Sequence, residues 1–82
     1  MTIKKLIEKM ENEMMSASGV FKSWINDIDR YKNLDVSFTW TAKYIDETFK
    51  SLSGFVWGLY ATNFITENQR DMLIEELISL TK

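Results

Sequence analysis

The chain predicts an all-α fold: a small bundle of three helices, or four if the first breaks near Ser16–Gly19, arranged as a long antiparallel hairpin with a shorter C-terminal helix. Three observations predict it. The 82 residues contain no proline and only three glycines, so nothing stops a helix except caps and polar clusters. Apolar residues recur at alternating spacings of three and four through most of the chain. The one stretch of period two, near the middle, has no second strand in this sequence to pair with, and a lone strand leaves its backbone groups unsatisfied.

The first helix is written by Ile3, Ile7, Met10, Met14, Ala17, Phe21, Trp24, Ile28 and Tyr31, which hold the four-three spacing without a slip. This seam of heptad type predicts a helix from about residue 2 to 33. Leu6, Val20 and Ile25 widen it, and Lys4 with Glu8 and Lys9 with Glu13 fall on the wet side at the spacing that suits exposed ion pairs. Inside the seam, Ser16, Ala17, Ser18 and Gly19 form a poor helical stretch that costs on the order of 1–2 kcal/mol relative to alanines. A break there competes with one continuous helix, and the unslipped phase across Ala17 favours continuity. A helix of about 31 residues is roughly 46 Å long at 1.5 Å per residue. A compact chain of this size is only roughly 30 Å across. The overhanging apolar seam then needs a second chain to cover it, so a homodimer is expected.

Leu34, Val36, Phe38 and Trp40 alternate with Asp35, Ser37, Thr39 and Thr41, the signature of a half-buried strand. Lacking a partner strand, Leu34 to Ser37 reads as an extended connector, with Ser37 or Thr39 capping the next helix. Pairing of residues 34–40 with a strand of another molecule is the alternative. Phe38, Ala42, Ile45, Phe49, Leu52, Val56 and Leu59 then resume the helical spacing and predict a second helix from about residue 39 to 62, with Lys43–Glu47 and Asp46–Lys50 on its wet side. Asn63 suits a left-handed cap, and Thr66 followed by Gln69 is a capping box that opens the last helix. There Leu73, Leu77 and Leu80 form one apolar row and Ile74 and Ile78 another. Residues 1–82 therefore read as a single helical domain.

Composition removes most chemistry. The chain has no cysteine and no histidine, which excludes disulfide frameworks, thiolate nucleophiles, imidazole bases and the usual transition-metal ligands. Asp27 and Asp29 begin like a calcium loop, but Tyr31, Lys32 and Phe38 stand where ligands and the required glycine belong. Adjacent carboxylates such as Asp46 with Glu47, or Glu75 with Glu76, point to different sides of a helix. No glycine-rich phosphate loop or nucleophile elbow occurs. No enzyme activity, cofactor or metal is expected. The net charge of -2 is nearly balanced, and the basic residues of the first helix are interleaved with acids, which disfavours nucleic acid as the partner. The longest mostly apolar stretch, Gly54 to Ile65, is about half of what a membrane-crossing helix needs. The acidic residues that follow Lys4 and Lys5 do not resemble a secretory leader, so a cytoplasmic location is expected.

What the chain has in surplus is aromatic surface: three tryptophans, three tyrosines and five phenylalanines. Trp24 and Tyr31, on the first seam, and Trp40, in the period-two stretch, are candidate protein-interaction residues. Trp57 falls on the helical wheel among Asp46, Lys50 and Ser53, away from the Leu52, Val56 and Leu59 seam. With Tyr60 and Phe64 it forms a candidate binding patch. Ser51, Gly54, Gly58 and Ala61 share one stripe, and Gly54 and Gly58 would let another helix backbone approach closely, within the molecule or from another. The brevity, the wealth of Lys, Ile and Asn, and the lack of Pro, His and Cys resemble the small accessory proteins of low-GC bacteria and their phages. The resemblance is compositional and assigns no residue a role. The function expected is a non-catalytic protein–protein interaction module, an inhibitor, adaptor or regulator acting by stoichiometric binding to a protein. A small nucleic-acid-binding regulator using the N-terminal helix is the alternative.

Overall fold

The computed structural model describes residues 1–33 and 39–82, and the side chains of these except Thr39 and Trp40. It is an all-α four-helix bundle with no strand among the described residues: α1 (Ile3–Glu13), α2 (Met15–Lys32), α3 (Thr39–Ala61) and α4 (Glu67–Leu80). The connector expected over 34–37 lies outside the described residues, as do residues 34–38 of the strand alternative, whose last two residues, Thr39 and Trp40, open α3 instead.

The predicted first helix is two helices. This is the four-helix alternative: the break falls at Met14 (φ -147°, ψ 63°), two residues before the Ser16–Gly19 stretch, which is itself helical. Ser18 is buried there with its hydroxyl donating to the Met15 carbonyl at 2.7 Å, so its polar group is satisfied inside the turn. The turn-back is sharp enough that Lys22 Nζ reaches Glu11 Oε1 at 2.8 Å. In a straight helix those residues would be separated by about 16 Å of rise. Bending lets Ile3, Leu6 and Met10 bury against the other helices, with Leu6 and Met10 wholly covered. Burial of three such side chains contributes about 1.5–3 kcal/mol each. The bend forgoes three helical hydrogen bonds whose groups water still satisfies, a loss of about 0.5–1.5 kcal/mol each. Packing therefore wins. The single unbroken helix that would overhang the bundle is therefore not formed, and the folded-back chain has a Cα radius of gyration of 13.0 Å and a longest extent of 39 Å.

Two helices fall where the spacing placed them. α3 occupies 39–61, with Leu52, Val56 and Leu59 buried, although Ala42 on the same predicted seam is exposed. Its end is a Schellman closure: Asn63 adopts φ 64°, the Phe64 amide donates to the Leu59 carbonyl at 2.9 Å and the Asn63 amide to the Tyr60 carbonyl at 3.0 Å. The Thr66 hydroxyl then accepts from the Gln69 amide while the Gln69 side chain accepts from the Thr66 amide, completing the capping box of α4.

α2 and α3 run antiparallel, with Phe21 against Phe55 at one level and Tyr31 against Tyr44 at another. α4 returns beside α3. α1 is tied to α4 and the turn before it by two polar contacts. The Glu76 carboxylate accepts from the Ile3 amide at 3.0 and 3.2 Å, and Lys9 Nζ donates to the Phe64 carbonyl at 2.7 Å. Lys9 is thus drawn to Phe64 instead of pairing with Glu13 as its spacing suggested. One cluster joins Leu6 and Met10 with Phe21, Ile28, Leu52, Val56, Leu59, Ile65, Leu73 and Leu77. Among the described residues no helix is long and apolar enough to cross a membrane.

Candidate interaction surface

The closure at Asn63 and the capping box at Thr66 fix where α4 starts, and Arg70 therefore lies back over the last turns of α3. Its guanidinium carbon sits 4.1 Å from the centre of the Trp57 ring and 4.5 Å from that of Tyr60. The two rings meet edge to face at 6.0 Å and 86°. Arg70 Nε and Nη2 donate to Asp71 Oδ1 at 3.0 and 2.8 Å, and Glu67 Oε1 lies 3.6 Å from Nη2. The hydrogen bond to Asp71 raises the guanidinium's pKa against a smaller opposing effect of desolvation, with the charges of Asp71 and Glu67 adding to the rise. Arg70 is a permanent cation placed within cation–π reach of both rings.

Fixing both rings in this way leaves the outer part of the indole open. Trp57 is 51% exposed. Beside it, Ser51, Gly54, Gly58 and Ala61 are all exposed, and a Cβ built on Gly54 or Gly58 would meet nothing within 4 Å. Among the described residues, nothing makes the close approach expected of these glycines. The two bare turns of helix and the immobilised indole form one strip along the outside of α3. A partner helix can approach such backbone closely, and an anchored indole loses little side-chain freedom on binding.

The structure divides the other candidate residues among different places. Phe64 is half-buried and packs on the core, with Lys9 Nζ 4.4 Å from its ring centre, so it anchors α1 and does not extend the Trp57–Tyr60 pair. Trp24 is half-buried on α2 and meets Phe55 edge-on at 6.0 Å and 84°. Tyr31, near the end of α2, stacks on Tyr44 at 5.9 Å and 23°, with the Arg30 guanidinium 5.3 Å from its ring. Trp40's side chain lies outside the described residues. Sequence reasoning missed Arg70. The signal was available, because a capping box at Thr66 places the fourth residue of α4 against the helix that precedes it.

Among the described residues, two clefts open elsewhere. The larger, about 410 Å³, lies between α3 and the end of α4 and is lined by Ala42, Ile45, Phe49, Ile78, Asp46 and Thr81. Its one titratable group, Asp46, pairs with Lys50 at 3.0 Å, so no acid–base pair is assembled in it. The smaller, about 200 Å³, lies between α2 and Leu80. Among the described residues no three carboxylates cluster as a metal site would require. Of the basic residues on the first two helices, Lys9 is committed to Phe64 and Lys22 to Glu11. Comparison with protein families, with curated proteins and with solved structures finds no match for the chain.

Proposed function

We propose that this chain is a non-catalytic protein-binding module that acts by occupying a surface of another protein, as an inhibitor, adaptor or regulator. The contact is the outer strip of α3, with Trp57 as the anchor and Gly54 and Gly58 as the place where a partner helix lies against bare backbone. The observation that carries this reading is the combination at one site of an open indole held by Arg70 with two exposed glycines that the fold itself does not use. A glycine in a helix interior costs roughly 1 kcal/mol against alanine. Where nothing within the molecule needs the space, a partner's approach is the remaining use for it.

Photo-crosslinking tests the reading. A benzophenone amino acid placed at Ser51 or Ala61, beside the strip, should give a single adduct of defined mass in extract of the source cell, with one module per partner. The same group at Ser79, on α4, should not give it. Trp57→Ala should abolish the adduct without altering helical content. Equal labelling from all three positions, or adducts indifferent to Trp57→Ala, would contradict the proposal.

A further inference from the structure

We infer that α1 is an exchangeable arm: a second copy of this chain takes it up when the bend at Met14 straightens, giving a reciprocal dimer in which each α1 packs in the other copy's bundle. Four observations converge on the junction. The apolar seam keeps its phase across the break from Ile3 to Tyr31, so a straightened α1–α2 presents one continuous apolar stripe. The hinge is a single methionine, a good helix former, with no side-chain cap on α2 and neither glycine nor proline at the break. Met14 is 39% exposed in the bent chain, whereas every other residue of that seam is buried or half-buried, and Met15 and Val20 beside it are 76% and 46% exposed. The contacts that hold α1 are self-contained. They include the Glu76 carboxylate on the Ile3 amide, Lys9 on the Phe64 carbonyl, the Lys22–Glu11 ion pair and the burial of Ile3, Leu6 and Met10.

Exchange keeps these contacts and makes them between chains, which is why a swapped dimer needs no new interface. It also adds what the bent chain lacks. A straight helix joins the amides of Met15, Ser16 and Ala17 to the carbonyls of Glu11, Asn12 and Glu13, and it returns Met14 to the seam, where the two hinges pass each other at the twofold axis. The Lys22–Glu11 ion pair is the only polar contact seen between α1 and α2 side chains among the described residues, and it is half-exposed at both ends. A hinge too short to relax in the closed form favours this kind of exchange. The inference is independent of the proposed function, since Trp57→Ala should leave the dimer intact while abolishing partner capture.

The test follows the full chain by sedimentation velocity from tens of micromolar to about 1 mM, where mass action favours the dimer. Spin labels on the double variant Lys5→Cys, Asn26→Cys, both exposed positions in a chain without other cysteines, report the intrachain distance after dilution with unlabelled protein. In the dimer fraction this distance should lengthen to about 32 Å, the rise of 21 residues of straight helix, while the monomer fraction stays shorter. The two fractions, once separated, should interconvert slowly, because α1 must detach first. Met15→Pro accommodates the bent chain at the first position of α2 but forbids the straight helix, so it should lower the dimer fraction at least tenfold. A Gly-Ser-Gly insertion between Met14 and Met15 should do the same by relaxing the hinge, and it serves if the proline variant does not fold. Absence of a dimer throughout that range, a dimer that keeps the monomer's distance, or a dimer unaffected by the insertion would overturn the inference.

Discussion

The two junctions flanking the helical hairpin are built on opposite principles. Between α3 and α4 every step is local: Asn63 at φ 64° closes one helix, and the Thr66–Gln69 box opens the next within a few residues. Between α1 and α2 nothing local marks the boundary. Met14 turns the chain with no cap of its own, and the contacts that hold α1 in place come from the core, which includes Phe21 and Ile28 of α2, and from Glu76 and Phe64, more than 50 residues away along the chain. A boundary made by side chains adjacent in sequence is cheap to keep and survives loss of packing. One made by tertiary burial exists only while the burial does.

The largest effect that separates the two should come from the core beneath α1. Leu6 is wholly buried, and Leu6→Ala should lower stability by about 2–5 kcal/mol, read by urea unfolding. It should also release α1 while leaving the α3–α4 turn folded. A cost below about 1 kcal/mol would mean that packing does not position α1. At the other junction, Thr66→Ala should cost about 1 kcal/mol. Asn63→Ala should cost about 1–2 kcal/mol, whereas Asn63→Gly should be close to neutral because glycine adopts the same conformation freely.

This contrast also explains what could be read from the sequence. The end of α3, the start of α4 and the seams of both were legible because the deciding residues are neighbours. The break at Met14 was legible only as an alternative, placed near Ser16–Gly19. The sequence offered a weak stretch at Ser16–Gly19 and an unslipped seam, and neither reveals that Leu6 and Met10 bury better in a folded-back helix. Half of the candidate surface was legible for the same reason. Trp57 stood out by its position on the wheel, but Arg70, which clamps it, belongs to the next helix, and Phe64 proved to serve α1.

Smaller effects sharpen the comparison. Gly58→Ala should stabilise the isolated chain by roughly 0.4–1 kcal/mol, since the site is helical and open, yet it should weaken crosslinking of a partner at Ala61. Stabilisation without any loss of capture would remove Gly58 from the proposed contact. Disrupting the half-exposed Lys22–Glu11 pair with Glu11→Gln should change stability by less than about 1 kcal/mol, and the change should vanish in high salt.

Residue-resolved amide hydrogen exchange on the full chain at low concentration tests the bend most directly. The amides of Met15, Ser16 and Ala17 should exchange at nearly the rate of unstructured peptide, while Ser18, which donates to Met14, and Phe64, which donates to Leu59, should be protected. Protection at residues 15–17 equal to that in the middle of α2 would mean that the monomer carries one unbroken helix through Met14, and the account of how this chain folds back on itself would be wrong.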